Sequence, residues 1–184
     1  MIRIQTLTLM SMLTALAAAL GFAFAPIPNI ELVTSTVFLS GMILGKTRGA
    51  AVGVLAEGLY SILNPYGTAP LPMLAAQCTS MGITGFSGGL LGSFLAGPKG
   101  FRFILLGLCG FACTLIFALL TTAAYVAMSG GGAGLVAGLL QGLGFYVAHL
   151  VSNTLFFMLL IPVLLKGLST VGLSGRMHPP IVRE

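Results

Sequence analysis

The chain has 184 residues, of which 57% are hydrophobic and 6% charged, against roughly 25% charged in a soluble domain. That excludes an ordinary water-soluble domain and predicts an all-α integral membrane protein, one domain over residues 1–184. The net charge of +5 marks no nucleic-acid partner, because the basic residues are spread as short loop charges and form no patch.

Apolar segments fall at about 6–25, 31–45, 49–63, 71–96, 101–128 and 135–165, which predicts six transmembrane helices in the lipid bilayer. Segments two and three are shorter than the roughly 20 residues a bilayer core requires. Their polar outer ends allow them to stop at a cavity or to extend into adjoining loops. Arg3 precedes the first span, Lys46 and Arg48 separate the second and third, Lys99 and Arg102 the fourth and fifth, and Lys166, Arg176 and Arg183 follow the sixth. The loops 25–31, 64–70 and 129–134 hold no Lys or Arg. By the positive-inside rule both termini, and the tail 167–184, are expected in the cytoplasm of a bacterial-type plasma membrane. Residues 1–25 also read as a signal peptide, with Ala23-Phe24-Ala25 as a cleavage site, but the apolar run is long for that and Pro26 follows at once.

Span one carries Ala15, Ala19 and Ala23 four residues apart. Such a row lets another helix approach closely, either within the bundle or as a docking face for a membrane partner. Glycine pairs at 41/45, 49/53, 85/89 and 88/92, and the row 134/138/142, read as internal packing. The next loop holds Pro26, Pro28, Asn29 and Glu31; the prolines forbid a continuous helix. Asn29 and Glu31 stand at the outer mouth, where Glu31 equally suits the N-terminus of the second helix.

The segment 57–78 carries most of the polar chemistry. Glu57, Tyr60, Ser61 and Asn64 share one helical face; the turn Asn64-Pro65-Tyr66-Gly67 follows, then Gln77 and Cys78 in the next apolar run. These groups are expensive in lipid, so they are expected to line one outward cavity closed by loops 25–31 and 64–70, or to pair among themselves. Span six, about 31 residues and roughly 46 Å of helix, tilts or protrudes. It places Tyr146, His149 and Asn153 on one face, set opposite the Glu57 stripe if the bundle closes that way. Cys109 and Cys113, i and i+4, read as small packing residues.

The order Pro28-Asn29-Ile30-Glu31-Leu32-Val33-Thr34, Gly41-x-x-x-Gly45, Gly49-Ala50-x-x-Gly53, Asn64-Pro65-Tyr66-Gly67 and Gln77 resembles the S components of energy-coupling factor transporters, over most of residues 6–166. The resemblance implies a six-helix subunit that binds a vitamin or similar micronutrient from outside. Through small residues of span one it docks on a transmembrane coupling subunit driven by two ATPase subunits. It also implies a pocket at Asn29, Glu31, Asn64, Tyr66, Gln77, Tyr146, His149 and Asn153, with no cofactor in this chain, ATP being used by the partners. The sequence has no G-x-x-x-x-G-K-[ST] loop, in keeping with that. The short second span departs from the family pattern. A pocket with two acids and no Lys or Arg favours a neutral or cationic heterocycle over an anion; Cys78 and His149 are possible axial ligands to a corrinoid. Two other readings stand beside this one. Ser87 in Gly85-Phe86-Ser87-Gly88, with His149, resembles the Ser–His pair of rhomboid intramembrane proteases, although span two lacks the His or Asn oxyanion donors expected there and the depths mismatch. The other is a purely structural membrane subunit.

The topology has a direct check. With Cys78, Cys109 and Cys113 replaced by serine, Thr68→Cys and Gly131→Cys are expected to react with an impermeant maleimide added outside. Thr47→Cys and Gly100→Cys are expected to stay unlabelled, and outside labelling at position 47 would overturn the six-span arrangement.

Overall fold

The computed structural model describes residues 4–92, 99–130 and 134–170. Arg3, residues 93–96 of the expected fourth span, positions 131–133 of the fifth loop, and the tail from 171 with Arg176 and Arg183 lie outside them. Among the described residues seven helices follow in order: α1 Ile4–Phe24, α2 Val33–Leu44, α3 Lys46–Ile62, α4 Leu71–Leu91, α5 Lys99–Met128, α6 Gly134–Gln141 and α7 Leu143–Thr170.

The punctuation is local. α1 stops at Phe24 because Pro26 and Pro28 lack the N–H that would continue it, and the chain turns with Ile27 N donating to Phe24 O at 2.8 Å. Asn29, at φ 59°, reverses the chain in the left-handed region that asparagine tolerates. α2 ends at Gly45, whose φ of 86° lets the backbone pass straight into α3; a side chain there is strained. α3 ends before Asn64-Pro65, and α4 opens with Pro70 as its N-cap and Pro72 in its first turn.

α2 is the centre of the bundle. All twelve of its residues except Ile43 are buried, and it packs against α1, α3, α4, α5 and α7. It, α3 and α4 meet one another backbone on backbone. A methyl built on Gly41 would overlap Gly85 O, one on Gly53 would overlap Met81 O, one on Gly88 would overlap Phe38 O, and one on Gly89 would overlap Lys46 N. Toward α5 and α7 the contact is made by side chains: Phe38, Met42, Leu106, Phe157, Ile161 and Leu165 form one cluster, with the Phe38 and Phe157 rings 5.0 Å apart. Cys109 and Cys113 are buried in that cluster, as packing residues.

Among the described residues three helices are long and apolar enough to cross a membrane: Ile4–Phe24, Phe101–Met128 and Leu143–Gly167. α5 turns Ile104, Leu108, Phe111, Leu115 and Leu119 outward, and α7 does the same with Val147, Val151, Leu155, Leu159 and Val163. Such stripes are compatible with lipid as the solvent. α2 and α3 have 12 and 17 residues, the former about 18 Å long and well short of a core of about 30 Å. α4 has the length, but Gln77, Thr79, Ser80, Thr84, Ser87 and its glycines lower its hydropathy. The sixth predicted span is corrected: it is two helices, α6 and α7, meeting at Gly142. Gly142 and Gly144 fall within three residues there, a poor place for a helix to continue unbroken.

The glycine packing generates a paired prediction. Gly85→Ala drives a methyl into Gly49 O and is expected to destabilise the protein by at least about 1–3 kcal/mol. Gly58→Ala, with Cys78 Sγ at 3.8 Å as the nearest neighbour, is expected to be neutral or to stabilise by up to about 1 kcal/mol through helix propensity. Thermal unfolding of both variants in the same detergent checks the contrast.

Candidate functional site

At the end of the bundle where the 25–31 loop lies, a cavity of about 300 Å³ opens between that loop and α1, α3, α4, α5 and α7. Phe24, Pro28, Asn29, Glu31, Glu57, Tyr60, Gln77, Met81, Phe117 and His149 are among its walls. Among the described residues no Lys or Arg lines it.

Glu31 anchors the loop. Its Oε2 accepts the Thr34 N–H at 2.9 Å, and the Thr34 hydroxyl donates to Oε1, so the carboxylate satisfies one orphan N–H of the first turn of α2. The same carboxylate reaches α7: Asn153 Nδ2 donates to Oε1 at 2.9 Å, and His149 Nε2 lies 3.3 Å away. A carboxylate only accepts, so His149 presents Nε2–H there. Asn153 also donates to Thr114 Oγ1 at 3.1 Å, while the Thr114 hydroxyl donates to Gly110 O. The carboxylate orients the amide, because the reverse orientation would set oxygen against oxygen. Asn153 Oδ1 is then buried without a partner among the described residues. Phe117 meets the His149 ring edge-on, with centroids 5.7 Å apart. A second strap, from Ser152 Oγ to Asn29 O at 3.0 Å, ties the loop to α7.

Glu57 is held differently. It is 3% exposed, and Ser61 Oγ, 3.2 Å from its Oε1, is the hydrogen-bond partner it has among the described residues. Ser61 Oγ also lies 3.0 Å from the Gln77 side-chain oxygen. A hydroxyl carries one hydrogen, so both contacts are satisfied when the Gln77 amide turns its NH₂ toward Ser61 and Ser61 donates to Glu57. The Tyr60 ring meets Phe22 at a tilt of 51°, with centroids 5.4 Å apart. Gly21 leaves room for its ring, for a Cβ there would come within 2.8 Å of Tyr60 Cδ2.

Of the sequence candidates, Asn29, Glu31, Glu57, Tyr60, Gln77 and His149 come together at the cavity, and Asn153 stands behind Glu31. The others do not. Asn64 accepts the Tyr66 N–H at 2.9 Å and closes its own turn; Tyr66 is 74% exposed. No residue of 64–70 lines the cavity, so among the described residues the loop that covers it is 25–31. Cys78 Sγ lies against Val54 O at 3.7 Å, and Tyr146 pairs with Thr122 at 2.6 Å beside a separate recess. His149 and Asn153 face Glu31 rather than the Glu57 stripe. Ser87 and His149 share no hydrogen bond; the neighbour of Ser87, Gly89, abuts Lys46 at the opposite end of α2. Ala15, Ala19 and Ala23 are all exposed, while Ala17, Ala18 and Gly21 take the buried face of α1.

Sequence reasoning did not single out Phe117, Met81, Thr114 or Ser152, each an unremarked residue in an apolar helix. Gly21 carried a signal, as a lone glycine within an alanine-rich helix. Among the described residues no group of three or more His, Cys, Asp and Glu is placed to hold a metal ion. Compared with family models, curated proteins and solved structures, the chain matches none.

The Glu31–Asn153 bond can be measured as a coupling. Glu31→Gln and Asn153→Leu are each expected to destabilise by about 1–3 kcal/mol. The double variant is expected to fall short of their sum by about 0.5–3 kcal/mol. Additive losses in denaturation would show that the two side chains act independently.

Proposed function

We propose that this protein is the substrate-binding subunit of an energy-coupling-factor-type importer, which captures a vitamin-like micronutrient outside a bacterial-type plasma membrane. In this reading the chain crosses the membrane six times with both ends in the cytoplasm, α6 and α7 together forming the last crossing. The observation that carries it is the cavity under the 25–31 loop, with polar walls inside an otherwise apolar bundle. The loop bears no basic residue, which under the positive-inside rule puts it outside, and buried polar side chains around a small-molecule-sized space are what a binding site requires. A purely structural subunit would have no need of that space. The protease reading has no support in the geometry, since its serine and histidine do not meet.

The exposed Ala15–Ala19–Ala23 row supports the second half of the proposal. A flat alanine stripe on a helix compatible with lipid lets a partner helix come close, and the coupling subunit, itself driven by two ATPase subunits, is the partner proposed. The chain holds no cofactor in this scheme, and partner subunits consume the ATP.

Two variants separate capture from delivery. Ala19→Leu is expected to retain the small molecule that co-purifies with the wild type, as identified by mass spectrometry, while blocking uptake by cells and recovery of the coupling subunit in pull-downs. Gln77→Leu is expected to weaken retention of that molecule by about 1–3 kcal/mol, the usual consequence of an unsatisfied buried partner, whereas Asn64→Leu leaves it unchanged. Equal loss of binding and uptake in Ala19→Leu would place the alanine row in the folding of the bundle and overturn the docking role.

A further inference from the structure

The two carboxylates at the cavity are not equivalent. Glu31 accepts hydrogen bonds from Thr34, His149 and Asn153, so its charge is already engaged in holding the loop. Glu57 has one hydroxyl, from Ser61. Its Oε2 has no hydrogen-bond partner among the described residues although the residue is 97% buried and lines the cavity. A buried carboxylate with an uncommitted oxygen is costly unless a cation or further donors complete it.

The rest of the wall narrows what completes it. The polar groups of Asn29 and Gln77 are neutral, and among the described residues no Lys or Arg lines the space. Phe24, Tyr60 and Phe117 supply ring surface around it, and aromatic faces attract cations, most strongly away from water. Among the described residues no metal-type ligand cluster exists, which turns the expectation from an inorganic ion to an organic one. The volume of about 300 Å³ lies at the lower end of small-molecule pockets, about 300–1,000 Å³.

We infer that the cavity takes a small organic cation, one or two rings or a short chain bearing a protonated or quaternary nitrogen, with Glu57 as the anchor for that nitrogen and Phe24, Tyr60 and Phe117 around its apolar body. Glu31 and His149 close the site by fixing the loop, and Gln77 and Asn29 are left to select among cations by hydrogen bonding. This rests on the binding-subunit reading for its ligand-capturing role, and goes beyond it in naming the ligand's charge and its anchor.

The test uses the full-length protein purified in detergent. Small molecules released on denaturation are identified by mass spectrometry. Protein washed free of them is then titrated, by thermal stabilisation, with choline against its neutral isostere 3,3-dimethylbutan-1-ol, and with benzylamine against benzyl alcohol and benzoate. The expected result is a released molecule carrying a positive nitrogen, or stabilisation by choline or benzylamine at concentrations where their neutral and anionic counterparts have no effect. Glu57→Gln is expected to weaken that binding at least about tenfold, the scale of a charge-assisted hydrogen bond, and Glu57→Asp to retain part of it. A released neutral or anionic molecule, equal response to choline and its isostere, or no released molecule and no response to either cation would each overturn the inference. The wild-type comparison stands even where Glu57→Gln does not fold. Cation binding that depends on Glu57, in a protein that gives cells no uptake and recovers no coupling subunit in pull-downs, would retain this inference and sink the importer reading; uptake of a neutral molecule would do the reverse.

Discussion

The Glu31 carboxylate is the tie on which the cavity end of the molecule depends. It caps the first turn of α2 and accepts bonds from His149 and Asn153, which lie 118 and 122 residues further along the chain. In surroundings where water cannot compensate, a carboxylate stays buried only where donors converge on it. That requirement draws α7 against the start of α2 and lays the 25–31 loop across the space between them. The Ser152 bond to Asn29 O and the left-handed turn at Asn29 follow the same path, so the loop is fixed from two sides.

The opposite constraint works by the absence of side chains. Gly41, Gly49, Gly53, Gly85, Gly88 and Gly89 bring α2, α3 and α4 into backbone contact, and dispersion at that range is available only when nothing projects between the helices. Shape complementarity therefore replaces hydrophobic sorting, which in lipid has little force. α1, α5 and α7 surround this block, with apolar residues facing away from it. A short α2, buried at every residue but Ile43, is possible because neighbouring helices surround it.

Between these two constraints lies a division of labour among acidic residues. Glu31 is engaged on several sides and serves the architecture; Glu57, one helix away, is buried with a single hydroxyl partner and faces the open space. The alanine row of α1 lies on the exposed side of a helix whose other side, at Gly21 and Phe24, forms part of the cavity wall. The cavity and the outer surface of α1 are thus separated by the thickness of one helix.

The sequence by itself determined the helical class, the apolar segments, most of their ends and the polar residues that lipid would not tolerate. Composition, proline placement and hydrophobic run length are local properties that act before any helix meets another. The Glu57–Ser61 contact was legible too, because i and i+4 residues share a helical face wherever the helix goes. The tertiary structure decided the rest. It paired His149 and Asn153 with Glu31 rather than with the Glu57 stripe, turned Asn64 back on its own turn, took the 64–70 loop away from the cavity and broke the last span at Gly142. It also set the alanine row outside and the glycines at 41, 49, 53, 85, 88 and 89 inside, while Gly134 of the expected 134/138/142 packing row is exposed. Periodicity says which residues share a face but not what that face meets. That depends on rotation and packing among helices distant in sequence, where converging donors and close backbone contacts select one arrangement.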